Sequence, residues 1–294
     1  MQGSAGQGPG KPPFLPARGS VRRRRFDSSH PLDLHSSMTS PAEMSPVIVL
    51  SPLQRSGTTL IQRLLCSAPN VLIYGDTVGQ EAEFFAKYAM ARGQMIGFQQ
   101  SQIAPVREAV LRGDVSDFIT PLAPTQATYL SGFRKAAVAW LEGCSREASE
   151  AGRPIWGWKL AGADATSLPM LADWFPQARW IWMDRDITDC LRSAKAAQMF
   201  GSPAEAGMMA RQAQFNRQIF STLRFEHLLT LDYSTMLENP TATVARLEEF
   251  TGAQGISTAV FDRRVNDYGN PNWVPPAALT DEEAAAIQLN LNAA

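Results

Sequence analysis

Between residues 46 and 252, short apolar runs alternate with stretches in which apolar side chains return every three or four positions, the pattern of strands followed by amphipathic helices. Val47–Leu50, Val71–Tyr74, Ile155–Leu160, Arg179–Asp184 and Leu228–Asp232 are the predicted strands. A helix is predicted after Thr59 with the stripe Leu60, Ile61, Leu64 and Leu65, and others over 78–92, 127–150, 166–175, 187–198 and 203–224. Pro240 opens a last helix, striped by Val244, Leu247 and Phe250 and stopped by Gly252. Strand–helix alternation of this kind predicts an α/β fold of three layers, a central parallel sheet flanked by helices. Residues 93–126 carry Gly93, Gly97, Pro105, Gly113, Pro121 and Pro124, which predict a broken segment.

The first strand empties into Ser51-Pro52-Leu53-Gln54-Arg55-Ser56-Gly57-Thr58-Thr59 before the helix begins. A strand, a glycine-containing turn and a helix start form an anion cradle: first-turn amides lack intrahelical partners, and the helix dipole favours negative charge there. Arg55 adds a fixed charge, and Thr58 and Thr59 add hydroxyls. A strand-turn-helix corner with no ligand is the competing reading of these residues alone. The loop lacks the Gly-Lys-Ser/Thr of nucleotide triphosphatases, so no lysine follows the glycine to reach a γ-phosphate. A second arginine, Arg185, ends the Arg179–Asp184 strand, and Ser193 follows eight residues later, about two helical turns along. Together they form a second candidate anion site, although Arg185 also has Asp186 and Asp189 nearby as surface partners.

The string Pro52-x-x-Arg55-Ser56-Gly57-Thr58-Thr59-Leu60 resembles the 5′-phosphosulfate loop of sulfotransferases that use 3′-phosphoadenosine 5′-phosphosulfate (PAPS). It is most similar to the carboxylate-base branch that includes the tyrosylprotein sulfotransferases. The resemblance spans residues 46–252 and implies a P-loop-like fold, with the donor's 5′-phosphate on Arg55, Ser56, Gly57, Thr58 and Thr59. It also implies that Arg185 and Ser193 bind the 3′-phosphate, and that Lys159, at the end of its strand, reaches the sulfate. Leu231-Asp232-Tyr233 and Leu237-Glu238-Asn239-Pro240 resemble a strand-to-helix junction beside the nucleotide. Here the acidic residue precedes the tyrosine instead of following it, so Tyr233 is expected only as a support.

A base must take the acceptor's proton. Cytosolic small-molecule members use a histidine, but beyond the N-terminal stretch the chain has only His227, at the mouth of the last strand. In the carboxylate branch a Glu follows a Gly after the second strand, and Tyr74-Gly75-Asp76 occupies that place with a side chain one methylene shorter. Asp76 is the expected base, with Glu81 and Glu83 as substitutes that are otherwise solvated; Asp76 could instead cap the following helix. Arg55, Asp76 and Lys159 are thus the expected catalytic residues, and PAPS is the expected co-substrate without a metal.

Composition narrows the partners. Residues 1–44 carry six Lys/Arg against three Asp/Glu and the remainder 21 against 25, so the folded part is mildly acidic and a nucleic-acid partner is not expected. The Gly/Pro/Ser/Arg-rich stretch 1–44, with its Arg22–Arg25 run, is expected to be a disordered basic tail, and 45–294 one domain. Translation starting at Met38 or Met44 is an alternative expectation for the tail. Three scattered cysteines, no run approaching 18 apolar residues and no apolar signal core predict a cytoplasmic protein without a membrane span. The acceptor class, whether small molecule, carbohydrate or peptide, and the oligomeric state leave no motif. The broken segment 93–126 is the expected place of acceptor recognition if it lies over the strand ends. The competing functions are a P-loop kinase, which the missing Gly-Lys-Ser/Thr opposes, and a binding protein of the same fold that has lost transfer. A serine hydrolase is disfavoured by the absence of a Gly-x-Ser-x-Gly elbow.

Overall fold

The computed structural model describes residues 44–116, 118–262 and 276–292, so most of the expected tail at 1–44 lies outside the described residues. Strands β1 (Val47–Ser51), β2 (Val71–Tyr74), β3 (Ile155–Ala161), β4 (Arg179–Asp184) and β5 (His227–Asp232) form one parallel sheet in the order β2-β3-β1-β4-β5. The central strand β1 is buried along its whole length, so every one of its side chains meets a covering layer.

The two faces are covered differently. Ile48, Leu50, Trp156, Trp158, Leu160, Trp180 and Trp182 point to one face, under α2 (Asp76–Leu111), α3 (Gln126–Glu150), α4 (Leu168–Trp174) and Phe220 of α6 (Pro203–Thr222). The opposite face gathers Val47, Val49, Ile73, Ile181, Met183 and Leu231 beneath α1 (Thr58–Ser67), α7 (Tyr233–Glu238) and α8 (Pro240–Thr251). Period-two alternation therefore feeds two cores at once, giving the three-layer α/β arrangement expected from the sequence. A third cluster joins Leu53 of the β1–α1 loop to α5 (Ile187–Ala196), α6 and α9 (Asp281–Asn292). There Lys195 pairs with Glu283 at 2.6 Å.

The chain departs from expectation between 93 and 111, where α2 continues as one helix of 36 residues through Gly93, Gly97 and Pro105. The two glycines make room for α3. A Cβ at Gly93 would lie 2.8 Å from Leu130 Cδ2, and one at Gly97 would lie 2.8 Å from Gln126 Nε2. Gln126 Nε2 also donates to Gly93 O at 2.8 Å. Helix–helix packing thus overrides the roughly 1 kcal/mol that a glycine costs relative to alanine. The segment is consequently helical as far as Leu111 and broken only after it. Nothing in the hydrophobic pattern marks α7, nor α9 beyond the patterned region.

The N-terminal turn of α2 lies hard against β3. A Cβ on Gly79 would sit 2.4 Å from Lys159 O and 3.0 Å from Leu160 Cβ. Replacing Gly79 by alanine gains about 1 kcal/mol of helix propensity but forces α2 off the strand, an overpacking cost of about 1–3 kcal/mol. Gly79→Ala is therefore expected to be no more stable than the wild type and up to ~2 kcal/mol less stable in urea denaturation. A clearly stabilised variant would show that the helix is free to move.

Candidate active site

Parallel sheets present their ligand sites beyond the carboxyl ends of the strands, where neighbouring connections leave in opposite directions. Here β1 lies between β3 and β4, and all three strands deliver charged residues to that end. Arg55 follows β1, Lys159 lies in the last half of β3, and Arg185 follows β4 directly.

The β1–α1 loop is built from within. Ser51 Oγ donates to Leu53 O at 2.8 Å, and Ser56 Oγ donates to the same carbonyl at 2.6 Å. Arg55 (φ 70°) and Gly57 (φ 102°) both take left-handed backbone around Ser56, a conformation that turns successive amides toward one concavity. Gly57 is required there twice over, because a Cβ would also lie 2.6 Å from Tyr233 Cδ2. Helix α1 then starts at Thr58 with no acidic residue in its first turn and no side-chain cap, leaving its positive end unopposed. Thr58 is buried and Thr59 half-buried. The Ser56 hydroxyl is turned inward to Leu53 O and lies 3.4 Å from Cys190 Sγ, so only its backbone amide remains available to an anion. Cys190 is buried, and burial pushes its thiol pKa up.

The second expected anion site is joined to the first. Arg55 Nε donates to Ser193 Oγ at 3.1 Å, and Arg185 Nη1 donates to Arg55 O at 2.9 Å. The Arg185 guanidinium lies 4.1 Å from the centre of the Tyr233 ring, which also packs on Gly57. Tyr233 therefore touches both loops. Arg185 Nε is buried and has no protein acceptor. The surface pairings open to Arg185 from sequence do not form: Asp186 caps α5 by accepting from Asp189 N at 2.9 Å, and Asp189 pairs with Arg192. Asp232 accepts from Ser234 Oγ at 2.6 Å and from Thr235 N at 2.9 Å as the cap of α7. These bonds, Ser234's foremost, hold its carboxyl below the usual range.

At the third corner, Lys159 is 5% exposed and its Nζ pairs with Asp76 Oδ2. Asp76 Oδ1 accepts from Ala161 N at 3.0 Å, so both carboxylate oxygens are engaged at the first residue of α2. Glu81 is exposed, whereas Glu83 is not the solvated residue expected. It accepts from Asp164 N at 2.6 Å and pairs with Lys87 at 3.2 Å, because the turn after β3 brings Asp164 beneath it. His227 opens β5 at the other end of the strands from the loop.

Two residues of α6 that carry no motif hold the site together. Asn216 is buried, donates to Pro52 O at 3.0 Å and accepts from Ala165 N at 3.2 Å, tying the β1–α1 loop to the turn after β3. Arg217 donates to Asp184 Oδ1 through Nε at 3.0 Å and Nη2 at 2.6 Å, and to Arg185 O at 2.5 Å, fixing the end of β4. Their only signal in sequence is a polar pair inside an alanine-rich helix.

The donor set suits a ligand with two separated anionic groups: the uncapped start of α1 at one side, Arg185 and the Ser193 hydroxyl at the other, and Arg55 between them, bonded to both. The orphaned Arg185 Nε and the cradle at Gly57 are consistent with such a group. Among the described residues no helix is long and apolar enough to cross a membrane.

Comparison with curated proteins gives no match. Solved structures similar to this chain include the sulfotransferase domain of the Synechococcus PCC 7002 olefin synthase, 17% identical, covering 86% of this chain and 98% of that one at a TM-score of 0.47. Sulfotransferase STF9 from Mycobacterium avium is 16% identical over 84% of this chain and 75% of its own, with a TM-score of 0.43. STF1 from Mycobacterium tuberculosis H37Rv is 14% identical over 86% and 78%, with a TM-score of 0.41. The assignment rests on sequence: the profile described as the sulfotransferase family matches residues 46–256, most of the chain, and the protein belongs to that family.

Proposed function

We propose that this protein transfers a sulfuryl group from PAPS to a hydroxyl or amine acceptor. The observation that carries the reading is the interlock of Arg55, Arg185 and Ser193, which supports one ligand with anionic groups on both loops. Backbone amides at 56–59 would hold the 5′-phosphosulfate end, and Arg185 and Ser193 the 3′-phosphate. The donor supplies the sulfuryl group, and adenosine 3′,5′-diphosphate leaves.

Three side chains then divide the chemistry. Arg55 faces the transferred group from the β1–α1 loop, where a fixed cation offsets charge on the sulfuryl oxygens and the bridging oxygen. Lys159 pairs with Asp76 in the free protein, and in the proposed reaction its ammonium reaches the sulfuryl oxygens of the bound donor. Asp76 takes the acceptor's proton. Its carboxylate is shorter than glutamate, and its place at the start of α2, anchored by Ala161 N, compensates by fixing its position. Three unpaired thiols, Cys66, Cys144 and Cys190, support our assignment of the protein to the reducing cytoplasm.

Sulfate transfer from labelled PAPS to a panel of phenolic, carbohydrate, lipid and peptide acceptors, run beside calorimetric titration with adenosine 3′,5′-diphosphate, tests the function directly. No affinity for the nucleotide would end it. Nucleotide binding without transfer would instead favour a binding protein, a reading that draws on the engagement of both Asp76 oxygens.

Two variants separate binding from chemistry. Arg185→Ala removes charge-assisted bonds of about 1.5–3 kcal/mol, and the nucleotide Kd is expected to rise by ~10–150-fold. Asp76→Asn is expected to keep nucleotide affinity within about threefold while turnover falls by ~10²–10⁴, the range of a lost general base. Equal losses in both measurements would show that Asp76 holds the fold and does not serve as the base.

A further inference from the structure

Helix α2 has two apolar stripes where a surface helix needs one. Its inward stripe is made of small residues, Gly79, Ala82, Ala86, Ala89 and Gly93, and is buried against the domain. Its other stripe is made of large ones: Phe84 is 63% exposed, Met95 38%, Phe98 90%, and Tyr88, whose ring also packs edge-on against Phe133 of α3, 41%. Ala91, between them, is also exposed. The spacing 84-88-91-95-98 runs four, three, four, three, the heptad rhythm by which one helix packs on another. Scattered surface hydrophobes carry no such register.

We infer that this stripe is an interface between two copies of the chain, formed by α2 against α2 about a two-fold axis. The stripe is self-complementary. Phe84 and Phe98 each lie seven residues from Ala91, and Tyr88 and Met95 lie on either side of it. An antiparallel axis at Ala91 sets Phe84 of one copy against Phe98 of the second at both ends, and Tyr88 against Met95, a favourable aromatic–sulfur contact. The alanine at the crossing point lets the backbones approach.

Area agrees with a second copy as the occupant. Taking about 200 Å² for each aromatic side chain, the exposed parts of Phe84, Phe98, Tyr88 and Met95 offer roughly 450 Å² of apolar surface. A standard interface buries about 800 Å² per partner, of which ~56% is non-polar, or about 450 Å². Charge opposes the pairing at one point only, where an axis at Ala91 brings the Arg92 side chains of the two copies onto the same flank; Lys87, on the other flank, is neutralised by Glu83 and Asp164, and Gln94, Gln99 and Ser101 are uncharged. Arg92, the remaining cation of the seam, lies with Nη1 3.4 Å from Met95 Sδ.

Sedimentation velocity of the full chain across the micromolar range tests the interface. The expected species has about twice the 32.2 kDa of one chain. Phe98→Glu is expected to weaken self-association by at least ~10-fold while leaving the far-UV circular dichroism spectrum of the folded chain unchanged, because the side chain is outside the core, and to remove the concentration dependence of the melting temperature. In a second measurement, Ala91→Cys is expected to join two chains through a short bismaleimide linker, whereas Ala136→Cys on the exposed side of α3 does not. A chain that stays monomeric throughout the range overturns the proposal. So does a dimer that is indifferent to Phe98→Glu and in which the Ala91→Cys variant fails to cross-link.

Discussion

The site depends on holding cations of like sign close together. Arg55 and Arg185 come from loops after neighbouring strands, and Arg185 donates to the Arg55 carbonyl. Guanidiniums repel, so the arrangement needs fixed partners that do not consume it. Tyr233 supplies a ring face to Arg185, Ser193 supplies a hydroxyl to Arg55, and Asp184 takes Arg217. No acidic residue lies in the first turn of α1, where it would cancel the field at the loop. The result is positive potential kept available at the carboxyl end of the sheet of a mildly acidic domain, with desolvation strengthening its attraction for an anion.

Gly57 shows how local and long-range demands meet at one residue. Its left-handed backbone satisfies the turn, and its missing side chain admits the Tyr233 ring from the far side of the sequence. The first demand is legible in the sequence, because a glycine between an apolar strand and an amphipathic helix has a local reason to be there. The second is not, because nothing near residue 57 announces residue 233. The same division runs through the rest of the molecule. The five strands stand out because β1, β3 and β4 are apolar enough to be buried on both faces. Asn216 and Arg217 do not, because their work is to hold loops from other parts of the chain, which no spacing rule within α6 encodes.

Helix α2 resists a local reading for a related reason. Gly93, Gly97 and Pro105 are local breakers, and local propensity favours ending the helix there. Packing decides otherwise: the glycines leave the space that Leu130 and Gln126 of α3 fill. Glu83 is similarly legible as a solvated helix residue only so long as the turn at Asp164 is unseen. In each case a residue with an ordinary local meaning acquires a specific one from an element distant in sequence.

Under the base assignment we propose for Asp76, α2 acts as a positioning rod. Its first residue is Asp76, its third residue after that is the glycine pressed on the Lys159 carbonyl, and the next turn carries Glu83 onto the β3 exit. A carboxylate at the tip of such a helix has little freedom to search for an acceptor. It must be placed correctly by the backbone, since aspartate lacks the extra methylene that would let glutamate adjust. The tight approach at Gly79 and the double anchoring of Asp76 are therefore two parts of one constraint: the shorter side chain is useful only on a helix that cannot move away from β3.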